Sequence, residues 1–210
     1  MTEFIAARWQ DILFRSYQHT SLVIQSVVLA LIIALVIAIF VAQRPRGAAL
    51  ANALSSIGLT LPSLALLGLA IPLFGIGTVP SVVLVVFYAV LPILRNAIVG
   101  LHTVDPAVIE SARGQGMSSA AILFRIRLPL AWPIIMTGIR VATQMSMGVA
   151  AIAAYALGPG LGGYIYSGLS QIGGTNALNY TLVGTLGVVV IALIVDAILA
   201  GDRKSTRLNS

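Results

Sequence analysis

The chain has 210 residues, 59% of them hydrophobic and only 9% charged, with a formal net charge of +6 and a mean hydropathy of +1.02. About a quarter of the residues of a soluble domain are charged, so the composition excludes a soluble globular fold and describes an integral membrane protein. Zero cysteines exclude disulfides, thiolate metal sites and cysteine nucleophiles, and the basic residues flank apolar runs, which points to membrane orientation and away from nucleic acid.

Residues 1–20 read as an amphipathic lead-in of mixed charge, with Trp9 and Tyr17 of the types that sit at membrane interfaces. They lack a signal-peptide layout, because the first apolar run comes late, is too long and has no small-residue cleavage site behind it. Ser21 to Ala42 carries no charge and is long enough to cross a hydrocarbon core, which needs ~20 helical residues. Gln43-Arg44-Pro45-Arg46 stops it. A second uncharged span covers 52–74, interrupted by Pro62 and Pro72, and a third covers 79–94, broken by Pro92 and closed by Arg95. The fourth is predicted at 132–157 and the fifth at 178–200. The fold class is therefore an all-α membrane protein with five transmembrane helices. The abrupt polar tail GDRKSTRLNS at 201–210 is either a native cytoplasmic end or a non-native addition, and no function is drawn from it.

One polar island interrupts the apolar part: Glu110 to Pro129, ESARGQGMSSAAILFRIRLP, within a loop at 105–129. Asp105 and Pro106 can start a short helix at Ala107 to Arg113, since Pro fits the first turn and Asp accepts orphan N–H groups. Gly114 and Gly116 let the chain turn. Ser118 and Ser119 can cap a second helix, Ala120 to Arg127, which Leu128-Pro129 is expected to end. The basic residues orient the whole. One side receives Arg44 and Arg46, then Arg95, Arg113, Arg125 and Arg127, then Arg203, Lys204 and Arg207. The other receives only Arg8 and Arg15. By the positive-inside rule the first side is cytoplasmic, with the N-terminus outside, the C-terminus inside and the polar island inside.

The island resembles the EAA loop of permease subunits in binding-protein-dependent ABC importers. Glu110-Ser111-Ala112, Arg113, Gly116 and Ile126-Arg127-Leu128-Pro129 stand at that loop's spacing, with Ser111 in place of a second Ala. The resemblance implies that Glu110, Ser111, Ala112, Arg113, Gly116, Ile126, Leu128 and Pro129 belong to an ATPase-coupling element. The bland alternative is an ordinary amphipathic hairpin. The resemblance narrows over most of 21–200. Leu61-Pro62-Ser63-Leu64, Tyr88-Ala89-Val90-Leu91-Pro92-Ile93-Leu94-Arg95-Asn96, Leu128-Pro129-Leu130-Ala131-Trp132-Pro133, Gly138-Ile139-Arg140 and Gly160-Leu161-Gly162-Gly163 look like permeases of osmoprotectant importers. These carry quaternary amines such as glycine betaine, choline and carnitine. The implied partners are an ABC ATPase subunit, an extracytoplasmic solute-binding protein that this chain is too short to include, and a second permease subunit, identical or homologous, all in the cell membrane among its lipid. No cofactor is expected on this chain, ATP being bound by the partner.

The glycines at 158, 160, 162, 163 and 168, with Pro159, rule out a continuous membrane helix there. The segment is read as a re-entrant or external gate, the alternative being a flexible outer loop. Gly158, Pro159, Gly160, Gly162, Gly163 and Tyr164 are its candidate residues, with Tyr164 and Tyr166 as interface or cavity-facing aromatics. Gln144 either lines the path or bonds across helices. Arg140 and Asp196 are expected to snorkel to the interface, an ion pair between them being the alternative. No catalytic constellation, phosphate-binding loop or metal cluster is legible, so the chain is not read as an enzyme. The reading from another class is an ATP-independent channel or secondary carrier; a purely structural assembly subunit is a third.

Overall fold

The computed structural model describes residues 1–208, with side chains to Gly201, so of the 201–210 tail only the helical backbone to 208 is described. Among these, every element is helical: α1 (Thr2–Ala42), α2 (Pro45–Thr60), α3 (Ser63–Phe74), α4 (Thr78–His102), α5 (Pro106–Gly114), α6 (Ser119–Ile122), α7 (Leu128–Ile152), α8 (Gly162–Ser170) and α9 (Ala177–Leu208). A π-helical turn at Leu123–Arg127 joins α6 to α7, and a 3-10 turn at Ala153–Ala156 follows α7. Four stretches are long and apolar enough to cross a membrane: α1, α4, the run 119–156 and the 177–201 part of α9. A fifth crossing exists if α2 and α3 count as one span.

That pair is bent by 96°. Pro62 holds the preceding Leu61 in an extended conformation, ψ 134°, which ends α2. The Tyr88 hydroxyl then donates to the Leu61 carbonyl that the break exposes. The span expected at 52–74 is thus two short helices at a steep angle.

α1 is one continuous helix of 41 residues, so the lead-in at 1–20 is its first half and not a separate element. Its buried seam runs Leu22, Ser26, Ala30, Ala34, Ala38, Ala42. Residues four apart adjoin one another, so these form a continuous seam that winds slowly around the helix, and the small side chains bring the backbone close to its neighbours. Those neighbours are α4 and α7, with α4 central: it also packs on α2 and α3. At the α4–α7 crossing a Cβ on Gly138 would lie 2.7 Å from Asn96 Cβ, so only glycine fits.

Two prolines expected to terminate helices do not. α4 continues through Pro92 and past Arg95 to His102. A membrane helix keeps a proline when neighbouring groups re-satisfy the backbone. Leu128-Pro129 likewise does not end the hairpin's second helix. The Leu128 N–H reaches back to the Leu123 carbonyl in the π register, and Pro129 becomes an early residue of α7, where its missing N–H costs little. The hairpin therefore runs without a break into a membrane helix.

Candidate functional site

The hairpin is built by local chemistry. Asp105 accepts the Ala107 N–H at 2.8 Å with Pro106 at the first helical position, so α5 starts where its donors are satisfied. It stops at Gly116, whose φ of 79° requires glycine. Gly116 N–H bonds the Arg113 carbonyl at 2.9 Å and Met117 N–H the Ala112 carbonyl at 3.1 Å, the two bonds of a Schellman cap. Ser118 then caps α6 by accepting from Ala121 N–H at 3.2 Å.

Ala112 and Ile122 are buried, while Glu110, Ser111, Arg113 and Gly116 are exposed. Ser111, Ala112 and Ile126 line a shallow groove with Ala107, Val108 and Met117. Leu128 and Pro129 lie in the first turn of α7 and are not part of that groove. One side-chain bond ties the hairpin to the bundle, and two features at the foot of α4 hold its base. Arg127 Nη2 donates to the Leu101 carbonyl at 3.1 Å, Val104 is buried, and the His102 ring meets the Ala42 carbonyl at the end of α1. The hairpin is thus joined to α4 by the Arg127 bond and to α7 by the unbroken chain through the π turn. Arg127 was legible in the sequence as a topology charge and as one position of the Ile126–Pro129 run, not as a tie to α4.

A second feature lies on the bundle surface. Thr137, Val141, Gln144 and Gly148 of α7 are exposed at spacings that place them on one helix face. Beside it, Arg95, Asn96 and Val99 of α4, Val141 and Met145 of α7 and Leu59 of α2 border a concavity of about 320 Å³. The outer faces of α1 and α9 differ in kind, exposing Val28, Ile32, Val36 and Phe40, and Leu186, Val190, Leu193 and Ile198. Apolar faces suit lipid, whereas a face with Arg, Gln and Thr suits water or protein.

At the opposite end of the bundle the glycine-rich segment is packed. Gly160, φ 112°, is buried against His19, and a Cβ on Gly162 would lie 2.2 Å from the Ala151 carbonyl. α8 thereby docks on the end of α7 and along α9, which a flexible outer loop would not do. Gly158 backs onto Ser81, Gly163 lies beneath the Arg15 guanidinium, and Pro159 borders a small groove with Tyr17 and Thr78. Tyr164 is only 2% exposed, so it does not face a cavity. Its hydroxyl donates to Asp11 Oδ2 at 2.7 Å, Asp11 also holds Arg15, and Arg15 lies over the Tyr164 ring. Phe4 and Tyr180 complete the cluster, with Arg8 over both rings. Tyr166 is exposed and packs edge-on against Tyr155. Gln144 and this segment are not brought together.

Arg140 and Asp196 do not snorkel apart. They form a bidentate pair at 2.9–3.0 Å that joins α7 to α9. Among the described residues no group of three or more His, Asp or Glu could hold a metal ion.

Apolar spans around a central helix, with a capped hairpin running into one of them, define a multi-pass membrane protein with a polar hairpin between two spans. The family described as binding-protein-dependent transport system inner membrane component matches residues 8–201, and the chain belongs to it. Similar relatives include the choline transport system permease protein OpuBB of Bacillus subtilis, 36% identical over 98% of this chain and 94% of that one. The glycine betaine/carnitine/choline transport system permease protein OpuCB of the same organism is 37% identical over the same shares. The osmoprotectant import permease protein OsmY of Salmonella typhimurium is 34% identical over 94% of this chain and 83% of its own length. A chain of the inward-facing MetNI methionine ABC transporter superposes with a TM-score of 0.72, covering 91% of this chain and 93% of that one at 23% identity, which establishes the shared fold.

Proposed function

We propose that this chain forms, with a second permease subunit, the translocation path of an ABC importer for a quaternary-amine osmoprotectant such as glycine betaine, choline or carnitine. ATP is bound and hydrolysed by a separate ATPase subunit seated on the hairpin, and solute arrives on an extracytoplasmic binding protein. The observation that carries this reading is the hairpin itself. α5 lines a small-residue groove with Ser111 and Ala112 and ends on the Gly116 cap, and the hairpin is joined to α4 through Arg127 and runs on into α7, the two helices that bear the polar face. ATPase closure would move α5, and α4 and α7 would follow, opening the path on the outer side beneath the docked binding protein. The names of the relatives supply the substrate class.

Gly116→Arg tests the coupling. A side chain at φ 79° strains the cap and puts a long cation beside the groove. Pull-down from the native host should lose the ATPase and osmoprotectant uptake should fall to background, while the amount of chain in the membrane is unchanged. Uptake that survives Gly116→Arg would favour the ATP-independent carrier.

A further inference from the structure

Arg95 is a cation set inside a membrane helix. By helical rise it lies roughly 10 Å short of the His102 end of α4, it is exposed, and among the described residues it has no hydrogen-bond or ion-pair partner. An intramembrane arginine is costly unless it faces water, a counter-charge or a ligand. A second copy of the chain offers no spare carboxylate at this depth. Glu3 and Asp11 lie in the outer half of α1, Asp105 and Glu110 in the hairpin, Asp202 beyond the apolar part of α9, and Asp196 is held by Arg140. Around Arg95 the concavity is otherwise apolar, with Val99, Val141 and Met145 as walls; the one amide there, Asn96, donates to the Pro92 carbonyl at 2.9 Å. Its volume of about 320 Å³ suits a small solute.

We infer that Arg95 is a solute-binding residue of the path, receiving the carboxylate of a zwitterionic osmoprotectant while the N-methyl groups rest on Val99, Val141 and Met145. The inference rests on the permease reading above and deepens it. A guanidinium meets a carboxylate through paired charge-assisted hydrogen bonds, which a lysine matches in charge but not in shape. A quaternary amine without a carboxylate meets only like charge there. Arg95 thus sorts glycine betaine and carnitine from choline inside the membrane, independently of the binding protein.

The test uses the complete importer purified from its host and reconstituted in vesicles, with uptake of glycine betaine, carnitine and choline measured for wild type, Arg95→Gln and Arg95→Lys. Losing the partner of a charged group costs about 10- to 100-fold in affinity. Arg95→Gln should lower glycine betaine and carnitine uptake at limiting solute by that factor and leave choline uptake unchanged or raised, with Arg95→Lys between. ATPase attachment should be normal in both. Equal loss for all three solutes, or no loss, would overturn the inference while leaving the importer standing. Wild type that takes up none of the three, though it holds an ATPase, would remove the substrate reading and this inference with it. If the Arg95 variants fail to assemble, Val99→Cys in this cysteine-free chain gives a second measurement. Glycine betaine should slow its thiol labelling and choline should not, and labelling indifferent to glycine betaine would equally overturn the assignment.

Discussion

Asp196 and Arg140 stand on helices far apart in sequence, each with about a quarter of its side chain exposed. Taking away one member of a buried pair costs 3–5 kcal/mol because the other charge is stranded; partial exposure reduces this to about 1–3 kcal/mol here. Asp196→Ala should therefore lower the melting temperature of the detergent-purified chain, and exchanging the charges, Arg140→Asp with Asp196→Arg, should recover at least half of the loss. No recovery would mean that the two side chains do not meet in the membrane. Sequence placed both residues near the cytoplasmic ends of their spans but could not say which way each faces, since that depends on how α9 leans on α7. Asp105, Ser118 and Gly116 were readable for the opposite reason: a cap is satisfied by residues only a few positions away.

α1 spans about 60 Å by helical rise, twice the ~30 Å of a hydrocarbon core, so its first half has to be held by protein. The clasp is Asp11 with Tyr164, backed by Phe4 against Tyr180. Tyr164→Phe keeps the ring and removes one hydrogen bond to a carboxylate, a loss of about 1–3 kcal/mol. Amide exchange over residues 2–20 and α8 should accelerate in that variant and stay near wild type in Tyr166→Phe, whose hydroxyl has no bond to α1. Acceleration confined to α8 would show that the clasp does not reach α1. The clasp was invisible in sequence because Asp11 and Tyr164 belong to elements that meet only through the fold. Proline misled in the other direction. Pro62 does bend the chain, but Pro92 and Pro129 sit inside continuous helices, because bundle packing and a π turn absorb what an isolated helix could not.

At the scale of the whole molecule, orientation decides whether the hairpin can meet ATP. Arg95 leaves the argument, since it lies within α4 and not in a loop. What remains is still one-sided: Arg44 between α1 and α2, Arg46 in the first turn of α2, and Arg113, Arg125 and Arg127 in the hairpin share one end of the bundle, while Arg8 and Arg15 stand near the other. Basic residues in short loops stay on the cytoplasmic side. The α2–α3 bend is where this reading is exposed, because an odd number of crossings from α1 to the hairpin is kept only if the bent pair passes through the membrane as one span. A cysteine-free chain makes that checkable with single introduced thiols. In intact cells a membrane-impermeant maleimide should label Thr2→Cys, and Ser118→Cys, in the exposed turn before α6, should react only after the membrane is opened. If both label from outside, the bent pair is re-entrant and the hairpin faces away from ATP, and the coupling assigned to Gly116 could not operate.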